Sequence, residues 1–311
     1  MIIPSGIDFK DYLEMQGLLE GQEVHWGNHW ADALVDRINN GIEVFGDKLP
    51  WSKTHNTFRL RPGELTIWAG INGHRKSMIV GQVMLSLAKT MRVCIASLEM
   101  SPESTLARMC QQAAGCYPSG EYARSFAYWS EERVCIYDQL DTVEATRILG
   151  VVHYAAKELN CSHIVIDSLM KCGLNEEDYA AEKKFVDRLQ WAAKNYKVHI
   201  HLICHMRKGV SEDRIPNKFD IKGTGGITDL ADNVVVCWKN KIKEQALFKQ
   251  KNGIQISQVE AESLERPDQY MVVEKQRHGE WEGSYQLWFN ENSLQFTGDN
   301  SGNIIPFGID S

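Results

Sequence analysis

The chain has 311 residues, 43% hydrophobic and 24% charged, which excludes a disordered or collagen-like polypeptide and supplies apolar material for one large α/β domain or two small ones. A formal net charge of −7 argues against a surface that coats nucleic acid throughout, because non-specific affinity comes from neutralised phosphates; it leaves room for a local basic channel. There is no run of about 18 apolar residues, and MIIPSGIDFKDYLEMQG has no basic segment leading into an apolar one, so the reading is a cytosolic protein with no membrane partner.

Residues 1–50 hold a polar start, a short amphipathic helix in WADALVDRINNG ended by Asn39-Asn40-Gly41, and a loop through Pro50 and Trp51. This arm is too small to bury a core, and two readings stand: a helix folded back on its own domain, or a linker helix docked on a neighbouring subunit. We divide the chain into an arm and linker helix at 1–58, an α/β domain at 59–296 and a loose tail at 297–311.

From residue 64, short apolar runs alternate with helix-length amphipathic stretches, the pattern of a mostly parallel sheet flanked by helices. Strands are expected at 65–69, 92–98, 133–137, 163–167, 199–205, 233–238 and 270–275. Helices are expected in SMIVGQVMLSLAK, after the cap Ser101-Pro102-Glu103, from Asp141-Thr142 through VEATRILGVVHYAAKELN, and in EEDYAAEKKFVDRLQWAAKNY. The eight cysteines are scattered without a C-x-x-C pair and read as reduced, mostly buried thiols.

The first strand runs into Gly70-Ile71-Asn72-Gly73-His74-Arg75-Lys76-Ser77, a phosphate-binding loop of the form G-x-x-x-x-G-K-[ST] with Arg75 in place of glycine. Such a loop turns backbone N–H groups and a helix N-terminus toward a phosphate; Lys76 adds a mobile charge and Ser77 a hydroxyl for Mg²⁺. If position 75 needs a positive φ, arginine costs on the order of 1 kcal/mol there. The alternative is a degenerate site that binds poorly.

Asp167 ends the apolar strand HIVID, 91 residues after Lys76, and is a candidate partner for Mg²⁺ or a cap of the next turn. Glu99 follows another apolar strand and either orients and deprotonates a water or favours the next helix dipole. His205 ends a third strand, placed to touch a terminal phosphate or merely to finish the strand. His199 and His201 alternate on that strand and read as face packing rather than metal ligands.

These pieces resemble the RecA-like motor domain of DnaB-type hexameric replicative helicases, which also includes Twinkle and phage helicase-primases. The resemblance is carried by FRLRPGELTIWAGINGHRKS, ASLEM, HIVIDS, ICHMRKG, DIKGTGGITDLADNVVVCWKN and KQRHGEWEG, in the family's order across roughly residues 60–290. It implies a RecA-like, mostly parallel sheet; ATP or another NTP with Mg²⁺ as cofactors; phosphate contacts from Gly70, Asn72, Gly73, His74, Arg75, Lys76 and Ser77; Mg²⁺ at Ser77 and Asp167. It further implies water activation by Glu99, phosphate sensing by His205, and Arg277, with Lys275, reaching the γ-phosphate of an adjacent subunit. Read without the family, Arg277 is a solvated residue in a polar turn.

For DNA, the resemblance implies loops gripping one strand's backbone, here Arg207, Lys208, Lys218, Lys222, Gly223, Thr224 and Gly225. The stretch 207–222 carries five basic residues against three acids, Arg214 among the basic ones. The glycines of 222–226 permit close backbone approach, and no aromatic residue interleaves that loop, so base stacking is not the expected grip.

The implied partners are single-stranded DNA at a replication fork, further copies of the chain in a ring, a hexamer in this family, and a primase, polymerase or loader. The compartment is then the cytoplasm of a bacterium or phage-infected host. Two other readings remain: a recombinase or mediator that forms filaments, and a catalytically weak ring subunit or accessory protein with Arg75 marking a decayed site.

Overall fold

The computed structural model describes residues 2–3, 27–39, 45–175, 178–223 and 225–309. In chain order the strands are β1 (Ile2–Ile3), β2 (Leu65–Gly70), β3 (Val93–Ser97), β4 (Val134–Tyr137), β5 (His163–Asp167), β6 (His199–His205), β7 (Asn233–Lys239), β8 (Gln269–Gln276), β9 (Gly283–Asn290) and β10 (Gln295–Thr297). The helices are α1 (Ala31–Asn39), α2 (Lys76–Leu87), α3 (Pro102–Ala114), α4 (Gly120–Ser130), α5 (Ala145–Lys157), α6 (Tyr179–Tyr196), α7 (Gly225–Leu230), α8 (Lys241–Lys251) and α9 (Gln258–Leu264).

One sheet orders its strands β1-β4-β3-β5-β6-β2-β7-β8-β9-β10. The parallel part runs from β1 to β7, and β8, β9 and β10 extend it antiparallel. All seven expected strands are present, and the fold is the expected mostly parallel α/β sheet flanked by helices. Strands β2, β3, β5 and β7 are buried along their whole length, which is why they read as unbroken apolar runs. Leu65, Ile67, Ile164, Ile166, Ile200 and Leu202 face one apolar layer with α5 and α6; Trp68, Ile95, Val165 and Ile203 face the other with α2 and α3.

Helix starts follow their caps where the cap is free to act. The Ser101 hydroxyl accepts from the Ser104 N–H at 3.3 Å, and Asp178 from the Ala181 N–H at 2.9 Å. The helix expected from Asp141-Thr142 begins instead at Ala145. Asp141 sits at φ 73° with its N–H on the Leu98 carbonyl at 3.1 Å, and the Val143 N–H is taken by Lys171 O at 2.9 Å, so this segment is held out of the helix.

Leu49, Trp51, Phe58 and Leu60 are buried in the second apolar layer, where the Trp51 indole N–H donates to Phe296 O at 2.7 Å. The expectation of a loose tail is corrected: Phe307 and Ile309 are buried in the same layer, and the Gln295 amide donates to Ile305 O at 3.0 Å. Apolar side chains at a chain end had a groove to fill. By contrast α1 leaves Leu34, Val35 and Ile38 51 to 67% exposed.

The cysteines of the structure are free thiols, all buried except Cys116. At the lower end of the sheet the buried histidines form a hydrogen-bonded chain. The Trp68 indole N–H, a donor only, meets His201 Nδ1 at 3.0 Å; His201 Nε2 lies 3.0 Å from His163 Nδ1, and His163 Nε2 lies 3.1 Å from Asp47 Oδ2. His199 Nε2 meets the Thr66 hydroxyl at 2.8 Å, and its Nδ1 meets Arg61 O at 2.7 Å. Burial holds His199 and His201 well below the usual imidazole range, so both are neutral. Among the described residues, no helix is long and apolar enough to cross a membrane.

Candidate nucleotide site and nucleic-acid face

The register of the parallel strands brings their carboxyl ends to one edge: Gly70 pairs with His205 and Ser97 with Asp167. A cleft above this edge is lined by Lys76, Ser77, Glu99, Asp167 and His205, with Arg75 and Asn72 at the loop. Five of the candidate residues are thus brought together by β2, β3, β5 and β6, although they span 130 positions of sequence (76 to 205). Ligands in open α/β sheets bind at this kind of edge.

Gly70 is required by packing, since a Cβ there would lie 2.5 Å from Cys237 O. The Lys76 ammonium donates to Gly70 O at 2.9 Å and Ile71 O at 3.1 Å, and burial lowers its pKa. His74 is fully buried: its Nδ1 accepts the Lys239 N–H at 3.1 Å, and its carbonyl accepts the Gln269 amide at 3.3 Å. Burial, then the charge of Lys241, pushes the His74 imidazole down to about 4, so it is neutral at physiological pH.

Arg75 adopts φ 63° and ψ 23°, the left-handed conformation the motif assigns to glycine. Its guanidinium carbon sits 3.7 Å from the centroid of the Phe289 ring, and Glu244, Asp268 and Glu291 supply negative charge around it. A partly desolvated cation–π contact is worth about 2 kcal/mol, more than the backbone cost of roughly 1 kcal/mol for a left-handed residue. The arginine is therefore compatible with a formed loop.

Asp167 is nearly fully buried. Burial raises its carboxyl above the usual range, opposed by a hydrogen bond from Ser77. The pair fits a magnesium ion: a hydroxyl and a carboxylate are hard oxygen donors, and a buried carboxylate penalised by desolvation gains from a cation. Among the described residues no group of three or more His, Cys, Asp or Glu could hold a metal, as expected where most ligands come from phosphate and water.

Beyond Asp167 the chain crosses a cis peptide to Ser168, whose hydroxyl donates to Glu99 Oε1 at 2.6 Å. His205 Nε2 lies 3.3 Å from the same oxygen and 3.3 Å from the Ser168 hydroxyl. His205, first, and Ser168 hold the Glu99 carboxyl down to about 2 against the opposing effect of burial. Sequence reasoning missed Arg108 on α3 and Lys171, both lining the cleft, with Arg108 in the field of Asp167. The available signal for Arg108 was its spacing with Thr105 and Gln112, which places all three on one helix face.

Arg277 and Lys275 lie elsewhere. β8 runs antiparallel to β7, so Gln276 pairs with Asn233 at the amino end of that strand, while Lys239 at the other end touches His74. Six residue steps of strand separate the ends by about 20 Å. Arg277 is not a solvated turn residue: it ion-pairs with the fully buried Asp232 at 3.2 Å and donates to Asp229 O at 3.0 Å. The Lys275 ammonium donates to Thr228 O and Asp229 O, both at 2.9 Å.

The expected DNA residues follow β6 directly. Met206 bridges to Ile221, the Lys222 N–H donates to His205 O at 2.8 Å, and the Arg207 guanidinium donates to Ile221 O at 3.1 Å and Gly223 O at 3.4 Å. Lys208 is exposed, whereas Lys218 is half-buried against Glu274 O at 3.3 Å. Arg214 is held by Asp220 at 3.0 Å. Thr224 lies outside the described residues. Two expectations are corrected. Gly225 and Gly226 belong to the first turn of α7, not to an open loop, and Gly223 is required internally, at φ 112° with Glu182 Oε1 occupying the space where its Cβ would stand. An aromatic side chain is also present at this face: Phe219 is 74% exposed beside Lys218.

The model of the family described as an AAA domain matches residues 55–211. A DNA helicase/primase of Enterobacteria phage T3 is 28% identical over 211 residues, covering 60% of this chain and 37% of that protein, so the chain spans well under half the length of this relative. Among solved structures, an ATPase domain determined on its own has a TM-score of 0.72 at 13% identity, over 89% of this chain and 100% of that one. A DnaB-like replicative helicase, solved with a view to its interactions with primase, has a TM-score of 0.67 at 12% identity, over 92% and 70%. The chain belongs to the AAA domain family and has the RecA-like fold of DnaB-like helicase ATPase domains.

Proposed function

We propose that this chain is the motor of a ring-forming, Mg²⁺- and NTP-dependent DNA helicase that cleaves nucleotide between subunits and moves along one strand. The observation that carries the reading is the separation of Arg277 from the cleft. Lys76, Ser77, Asp167, Glu99 and His205 stand at one sheet edge, and Arg277 stands at the other, where a neighbouring copy's phosphate can reach it.

In this reading Lys76 and the loop amides hold the β- and γ-phosphates, and Ser77 with Asp167 would hold Mg²⁺, which neutralises charge on the phosphates when bound. Glu99, ionised and fixed by Ser168 and His205, orients the attacking water and accepts its proton. Arg277 of a neighbour stabilises charge developing on the transferred group. The Lys222 amide on His205 O joins the phosphate-sensing position to the nucleic-acid loop. Arg207, Lys208, Lys218, Lys222 and the backbone at 223–225 contact the DNA strand, and the exposed apolar face of α1, within the proposed arm at 1–58, docks on the next subunit. A hexamer, cytoplasmic placement and a primase, polymerase or loader as further partners belong to the same proposal.

Hydrolysis of ATP measured with and without single-stranded DNA, together with electron microscopy of nucleotide-bound assemblies, tests it. DNA-stimulated turnover by closed rings is expected. Open filaments would favour a recombinase, and absence of both nucleotide binding and turnover would falsify the motor.

A further inference from the structure

The loop at residues 70–77 is pinned from the side away from the cleft by the antiparallel part of the sheet. His74 is fastened to the end of β7 by the Lys239 N–H at 3.1 Å and to the start of β8 by the Gln269 amide at 3.3 Å. Arg75 reaches across to β9, where its guanidinium lies 3.7 Å from the Phe289 ring centroid. The Phe289 N–H donates to Asp268 Oδ2 at 3.0 Å, and Asp268 also pairs with Lys243 of α8 at 3.1 Å. Glu244 of the same helix pairs with Lys239 and, at 3.1 Å, with Lys241. Arg75 thus rests on an aromatic ring held at its own backbone, within an acidic rim drawn from α8, the turn before β8 and the residue after β9.

We propose that Arg75 is a positioning residue which, clamped on Phe289, fixes the phosphate loop in its nucleotide-binding conformation before nucleotide arrives. The proposal rests on the nucleotide-site reading above and gives the departure from the glycine motif a role opposite to decay. A loop with glycine at this position is free to sample φ on both sides of zero and must be ordered at binding. With arginine, the same left-handed backbone is held by a side-chain contact that glycine cannot make, so the ordering cost is met on folding.

The clamp acts on the loop rather than on the reacting phosphate, so its loss weakens binding and leaves the chemical step alone. In the full-length protein, Arg75→Gly raises the dissociation constant of a fluorescent ATP analogue, with Mg²⁺ present, about tenfold and raises KM for ATP similarly, with kcat unchanged. Phe289→Leu does the same. The double variant is no weaker than the worse single one, because both remove one contact. Arg75→Lys, which keeps the charge and loses the planar face, falls between wild type and Arg75→Gly. Melting curves of each variant show whether the fold is kept, and Arg75→Lys, the mildest change, carries the test should Phe289→Leu melt early.

Equal or tighter binding by Arg75→Gly overturns the proposal, as do additive effects of the two single changes or a loss confined to kcat. Failure of the wild-type protein to bind the analogue would instead sink the nucleotide-site reading itself, which keeps the two failures distinct.

Discussion

Glu99 and His205 share one contact, Oε1 to Nε2 at 3.3 Å, although 106 residues separate them in sequence. The contact keeps the glutamate ionised and turned toward the strand end that would meet a terminal phosphate. Because the carboxyl is held at about 2, its contribution is complete above the ordinary carboxylate range and fades only as pH falls through that value. In His205→Ala the largest cause of this depression is gone. The acid limb of the kcat/KM profile then moves upward in pH relative to wild type, and an unmoved limb would show that His205 does not hold the carboxylate.

Glu99→Gln removes the proton acceptor and keeps the size and one hydrogen-bonding oxygen. Turnover should fall about a hundredfold to ten-thousandfold, the usual worth of general base catalysis, with nucleotide affinity within a few-fold of wild type. Single-turnover hydrolysis alongside equilibrium binding separates the two effects. Comparable losses in both would point to a damaged pocket instead.

Arg277→Ala should abolish turnover by about a thousandfold or more while nucleotide still binds, since the side chain is remote from its own cleft. Mixing decides whether it acts on a neighbour. Inactive Arg277→Ala and inactive Lys76→Ala subunits, combined, regain part of the activity if an intact cleft can meet an intact arginine across an interface. A mixture as dead as its components removes the trans-acting role.

Phe219 stands exposed among Arg207, Lys208 and Lys218 and offers a ring to a base. Stacking is worth about 1 to 3 kcal/mol per base, so Phe219→Ala should weaken single-stranded DNA binding roughly fivefold or more with little change in its salt dependence. Lys208→Ala should instead reduce the salt slope. Fluorescence anisotropy over a salt series distinguishes the two, and equal slopes for both variants would deny Phe219 a stacking role.

The fold was legible where burial on two faces left unbroken apolar runs, as at HIVID and HIHLICH, whose strand bounds match the expected ones. The strands β9 and β10 were not, because one face of GSYQLWFN is polar and the run reads as irregular. Helix α5 began late because Asp141 and Val143 spend their amides on Leu98 and Lys171, contacts made across the fold and invisible in local sequence. At the site, each motif residue lay at a strand end and could be picked out, whereas Arg108 faces the cleft only because α3 packs over it. The reason for Gly223 lay likewise out of reach: it depends on Glu182, 41 positions earlier.

The histidine chain at the lower sheet end has a cost in acid. His199 and His201 are held below their unfolded value of about 6.5, so below that pH the unfolded chain takes up protons that the folded one refuses. Stability should fall by up to about 1.4 kcal/mol per pH unit for each as pH drops from 6.5. His201→Gln, able to accept from Trp68 and donate to His163, should flatten the decline in melting temperature between pH 7 and 5. An unchanged slope would place the acid sensitivity elsewhere.

Asp232 accepts the N–H of Leu65, the first residue of β2, at 2.9 Å through one oxygen and meets Arg277 and the Gln190 amide through the other, at 3.2 and 3.4 Å. The carboxylate is fully buried, so it cannot turn to water for a replacement cation. An arginine drawn outward toward a neighbour's phosphate leaves that charge leaning on the base of the very strand whose far end forms the phosphate loop. Capture of one subunit's arginine and the tension on its own nucleotide pocket are then a single mechanical event, which gives a ring of such subunits a reason to fire in turn rather than at random.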